Sequence, residues 1–107
     1  MISKESKTVL FVLYKQYLSR RKCGYFKADA MRFSSSIEIQ KDFFPDMFPE
    51  DVDAALLELD QQGFVKVYSS DTMVHRAYLT DLAITTIESL PKEALSSLVK
   101  FLLHFVP

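Results

Sequence analysis

The stretch Pro49 to Thr80, PEDVDAALLELDQQGFVKVYSSDTMVHRAYLT, decides how the chain folds. Val52, Ala55, Leu56 and Leu59 recur at i, i+3, i+4 and i+7, so a helix here has one apolar face that packs inward. Pro49 suits its first turn, where the missing N–H has no intrahelical acceptor to lose. Gly63 ends it, because glycine takes the left-handed conformation at C′ without a Cβ clash; Phe64 at C″ is then placed to touch Leu59 at C3. Phe64 to Tyr68 and Met73 to Leu79 are rich in β-branched and aromatic residues. They flank Ser69-Ser70-Asp71-Thr72, which predicts a hairpin. Thr80 is the expected N-cap of a further helix from Asp81 to Leu90, with Leu79 at N′ able to staple against Ile84 at N4.

The other face of the first of these helices carries Glu50, Ala54, Leu57, Glu58 and Gln61, and no lysine or arginine occurs from Asp46 to Gly63. Glu50, Asp51 and Asp53 sit near the positive end of the helix dipole, so their charge has a structural cause. Glu58 and Asp60 lie toward the negative end, where carboxylates are mildly unfavourable. Solubility or a specific contact must account for them.

Upstream, Ser3 is the expected N-cap of a long helix through Lys22, in which Leu10, Leu13, Tyr14, Tyr17 and Leu18 repeat at helical spacing. Val9, Phe11 and Val12 fill the remaining directions, so this helix is expected to be covered on two sides, by the core and by a second subunit. Arg20, Arg21 and Lys22 before Gly24 form a basic last turn, either a solvated cap or a phosphate contact. The lone Cys23 has no disulfide partner and is expected to be a small buried residue near the helix end. Tyr25 to Phe33 reads equally as an extended piece or as an extra helical turn. Ser34, Ser35 and Ser36 are alternative caps for a helix from Ile37 to Phe44 that Pro45 ends.

Downstream, Pro91 to Phe105 predicts a last helix whose polar residues Glu93, Ser96, Ser97, Lys100 and His104 share one stripe. Its broad apolar arc includes Leu95, Leu98, Val99, Phe101, Leu102 and Phe105. Such an arc either sinks into the core or pairs with the same helix of a second chain. Together with Val9, Phe11 and Val12 these residues are the expected homodimer interface. A hydrophobic share of 49% in 107 residues, with nine Phe, favours that second chain.

The length fits one domain, residues 1–107, mostly α with a small β-hairpin (α+β). Lys4, Glu5 and Lys7 precede only a short apolar run with no cleavage site behind it, so a soluble cytoplasmic protein without membrane contact is expected. Residues 1–45 hold nine Lys/Arg against four Asp/Glu, whereas 46–107 hold four against ten. A net charge of -1 therefore conceals a basic half that can steer an anionic partner. An enzyme is not expected: His75 and His104 lie far apart, two glycines make no phosphate loop, and no Cys/His set suggests a metal or cofactor.

DVDAALLELDQQGFVKVY, residues 51–68, resembles the recognition helix, helix-end glycine and wing of the winged helix-turn-helix superfamily of small bacterial and phage-type transcription regulators. YLTDLAIT, residues 78–85, is similar to that superfamily's step from the second wing strand into the next helix, with Ala83 where many members carry glycine. The resemblance covers a core at 34–90, preceded by the long N-terminal helix and followed by a dimerisation helix at 91–107. It implies binding of double-stranded DNA, with the recognition helix in the major groove and the wing on the backbone. Here the cations available for phosphates are Lys27, Arg32, Lys41, Lys66 and Arg76, while Ala54, Leu57, Glu58 and Gln61 are the candidate base or partner contacts. The competing expectation is a protein-interaction module that docks a partner on Ala54 and Leu57, inside the rim of Glu50 and Glu58.

Overall fold

The computed structural model describes residues 3–70, 73–91 and 93–94. In chain order its elements are α1 (Lys4–Lys22), α2 (Lys27–Ala30), β1 (Arg32–Phe33), α3 (Ser36–Phe43), α4 (Pro49–Gln61), β2 (Val65–Ser69), β3 (Val74–Leu79) and α5 (Asp81–Glu88). The described chain is mostly helical, with one antiparallel sheet in the order β1-β3-β2. Asp71, Thr72 and the C-terminal residues from 95 onward, with Leu95, Leu98, Val99, Phe101, Leu102, His104 and Phe105, lie outside the described residues.

The helix boundaries follow from side chains that satisfy free backbone groups. Ser3, Ser35 and Thr80 cap α1, α3 and α5 by accepting the N–H of Ser6, Glu38 and Ala83. At the other end, α1 and α4 close in the same way. Gly63 (φ +82°) donates to the carbonyl of Asp60 and Phe64 to that of Leu59. Gly24 (φ +92°) likewise donates to Arg21, and Tyr25 to Arg20. Both are Schellman closures, as expected for Gly63.

The region 25–33 contains both of its possible conformations: the single helical turn α2, then the two-residue strand β1. Arg20 holds them against α1. Its Nη1 donates to the carbonyls of Arg32 (2.6 Å) and Ala30 (3.4 Å), and its guanidinium lies 4.4 Å from the Phe33 ring centroid. Arg21 donates to the carbonyl of Tyr25. Arg20 is thus held by the backbone of α2 and β1, while Arg21 and Lys22 stay exposed in the last turn of α1. Cys23 is exposed, contrary to expectation, because it occupies the C-cap where the chain turns outward.

Five successive residues of α1, Val9 to Leu13, are buried, at 0%, 4%, 9%, 2% and 0% exposure. Val9, Phe11 and Val12 accordingly belong to the core of the single chain and leave no surface for a dimer partner, which corrects the expectation for these three. The apolar all-round segment is covered by its own fold: α4 packs on α1, the Tyr14 hydroxyl reaches Glu88 of α5 at 3.0 Å, and α2 lies against the C-terminal end of α1. Val52, Ala55, Leu56 and Leu59 of α4 face this core together with Phe33, Ile39, Val65, Ala77 and Leu79. Each fully buried Leu or Ile contributes about 1.5–3 kcal/mol.

α3 and α4 are joined through residues 44–48, and Gln40 fixes that turn by donating Nε2 to the carbonyls of both Phe44 (3.1 Å) and Met47 (2.9 Å). Asp53 joins α4 to the sheet, accepting the Val74 N–H at 2.7 Å. Glu58 accepts the Ser3 N–H and so ties α4 to the start of α1. This is the specific contact that its place near the helix C-terminus called for.

Candidate nucleic-acid interface

Side chains alternate between the two faces of a strand, and residues paired across strands share a face. In the antiparallel register, Phe33 pairs with Ala77 and Ala77 with Val67; Val65 pairs with Leu79. These face the helical layer. The alternate positions face solvent. Arg32 pairs with Tyr78 and Tyr78 with Lys66, and one step along the strands Tyr68 pairs with Arg76. Ser34, two residues beyond Arg32, reaches the same end of the sheet and lines a cleft with Arg76. The open face is thus a grid: Arg32, Tyr78 and Lys66 in one row and Arg76 and Tyr68 in the next, with Ser34 lining the cleft beside Arg76. Rows are separated by about 6.8 Å and strands by about 4.8 Å.

The rings brace one another. Tyr68 and Tyr78 meet edge to face, with centroids 5.7 Å apart at 86°, and Lys66 Nζ lies 6.0 Å from the Tyr68 centroid. Tyr68 is nonetheless 55% exposed. Beside them, Arg20, Arg32, Phe33, Ser34, His75 and Arg76 line a shallow cleft of about 350 Å³. Arg32 is partly neutralised by Asp29 at 2.6 Å. The Arg76 side chain makes no hydrogen bond or ion pair among the described residues, and His75 Nε2 lies 2.6 Å from Ser70 Oγ.

Of the five predicted phosphate-binding cations, three are therefore brought together: Arg32, Lys66 and Arg76. Lys27 is apart on α2, where it forms an exposed ion pair with Asp81 at 2.9 Å, and Lys41 is exposed on α3. On α4, Ala54, Leu57 and Gln61 are exposed, whereas Glu58 is committed to Ser3. That bond holds the Glu58 carboxyl below its ordinary range against the opposing effect of desolvation, with the Ser6 and Ser3 hydroxyls adding to the lowering. α4 packs on the buried side of the sheet, so its acidic outer face and the grid point away from each other.

The two tyrosines were not singled out from sequence. Their signal was present in KVY (66–68) and RAY (76–78), where cation and tyrosine alternate at the strand period. Among the described residues, no helix is long and apolar enough to cross a membrane, and no three His, Cys, Asp or Glu side chains gather as a metal site. No protein-family model, curated protein or solved structure matches the chain.

Proposed function

We propose that the protein is a small DNA-binding regulator of winged-helix type, not an enzyme, whose phosphate contacts come from the open face of the sheet. The observation that carries this is the assembly of Arg32, Lys66 and Arg76 on one exposed surface. The order of α3, a turn held by Gln40, α4 and the β2-β3 hairpin supports the winged-helix assignment. With its carboxylates on the far side of the sheet, α4 does not oppose a polyanion bound to the grid. Three cations that each neutralise one phosphate give a salt-dependence slope of about -2.7 for duplex DNA. Fluorescence anisotropy with a random-sequence duplex at low and moderate salt tests this: binding at low salt that weakens with salt is expected. Failure of the folded protein to bind at low salt overturns it.

A second function for α4 is favoured by a separate observation. Leu57 (39% exposed) and Ala54 lie on its outer face, and Ile37 (49%) and Phe48 (71%) are exposed beside its N-terminus. Ser36, Ile37, Pro49, Glu50, Asp53 and Met73 line a cleft of about 310 Å³ there. An apolar spot with an acidic rim suits a basic protein partner. Reversing the charges of Glu50 and Asp60 is expected to abolish such a complex while leaving DNA binding by the sheet in place. The homodimer is proposed on the apolar residues Leu95 to Phe105 alone. Sedimentation giving a monomer at tens of micromolar rejects it.

A further inference from the structure

We infer that the open sheet face takes an unpaired nucleic-acid strand, with bases on Tyr68 and Tyr78 and phosphates on Arg32, Lys66 and Arg76; this rests on the proposal that the sheet binds nucleic acid. Phosphate attraction alone requires cations. It does not require two tyrosines between them, one of them 55% exposed. Rings on an open sheet face, Tyr68 exposed and Tyr78 half-buried, gain little from a duplex, whose bases are stacked inside and whose grooves admit a helix or a narrow ribbon. They gain a partner when bases are splayed out, since every base has a face that stacks on an aromatic ring.

The grid has the geometry for this use. Each tyrosine has a cation opposite it on the neighbouring strand: Tyr78 lies between Arg32 and Lys66, and Tyr68 is opposite Arg76. A strand crossing the sheet therefore meets ring and charge alternately. The right-angled contact between Tyr68 and Tyr78 limits how far either ring can swing, which lowers the ordering cost of binding. Arg76 and Ser34 open onto the cleft beside the rings, with His75 and Arg32 on its wall, so a phosphate leaving the tyrosines finds donors directly alongside. With its cations on phosphates and its rings stacking on any base, the grid gives only a weak sequence preference.

The test uses the full chain and fluorescein-labelled oligo-dT, oligo-U and a random duplex, each of about twelve nucleotides or base pairs, by anisotropy at low salt. The variants are Tyr68→Ala, Tyr68→Phe and, as a control on exposed α1, Lys15→Ala; circular dichroism verifies folding. The single strand is expected to bind at least about 5-fold tighter than the duplex. Tyr68→Ala should weaken it by about 5-fold or more, while Tyr68→Phe and Lys15→Ala stay near wild type. The oligo-dT and oligo-U arms separate DNA from RNA as the natural source. A duplex bound as tightly as the single strand, or an equal loss for both with Tyr68→Ala, overturns the inference and leaves DNA binding standing. No binding to any of the three overturns both.

Discussion

Replacing Gly63 with alanine perturbs the joint on which the hairpin is hung. At φ +82° an L-residue is in the left-handed region, which costs about 1–2 kcal/mol, offset by about 0.4–1 kcal/mol from the stiffer unfolded chain. A Cβ at this position meets Leu82 Cδ2 at 3.3 Å. Leu82 is 52% exposed and its tip can move, so this contact adds only a few tenths of a kcal/mol. Gly24 is the internal comparison, with φ +92° and nothing within 4 Å of an added Cβ. Gly24→Ala should therefore lose about 0.5–1 kcal/mol, and Gly63→Ala somewhat more. In a domain of this size 1 kcal/mol moves the melting temperature by about 4–8 °C. Thermal and urea unfolding of the two variants measure this, and Leu82→Ala in the Gly63→Ala background should remove the excess. Gly63→Ala as stable as wild type would refute the left-handed closure of α4.

Gln40→Ala leaves two turn carbonyls without their donor and should cost about 1–2 kcal/mol in urea unfolding, whereas Gln40→Glu, which removes the amide donor, should cost at least as much. Glu58→Gln addresses acid stability. Because the folded carboxyl lies below its ordinary value, its contribution is complete at neutral pH and is lost as pH falls below about 4; melting of the variant should depend less on pH across that window. Tyr14→Phe addresses the alkaline side. Burial, then the Glu88 carboxylate, push the Tyr14 hydroxyl up to about 12, so its contribution is complete below the ordinary value of 10.0 and is lost as pH rises toward 12. Wild type should destabilise more steeply than Tyr14→Phe between those values.

Much of the fold was legible because its signals are local. Ser35, Thr80, Pro49 and Gly63 act on groups within a few residues of themselves, and the helix and hairpin boundaries follow from them. What sequence could not supply was remote pairing. β1 has only two residues, too few to carry a period, and exists because Arg32 and Phe33 find Tyr78 and Ala77. Glu58 reads as a surplus carboxylate until Ser3, 55 residues away, is beside it. Val9, Phe11 and Val12 read as surplus apolar surface until the folded chain closes over every side of that segment. The candidate site divides in the same way: each cation was visible singly, but the grid depends on a strand register that no single segment contains.

The most direct measurement is the slope of log K against log salt for nucleic-acid binding by wild type and by Arg32→Ala, Lys66→Ala and Arg76→Ala, beside Glu50→Gln on α4. Binding on the open sheet face predicts that each removed cation makes the slope shallower by about 0.9 on duplex and about 0.7 on a single strand, with Glu50→Gln unchanged. A slope indifferent to all three substitutions, or one that moves with Glu50, would contradict it.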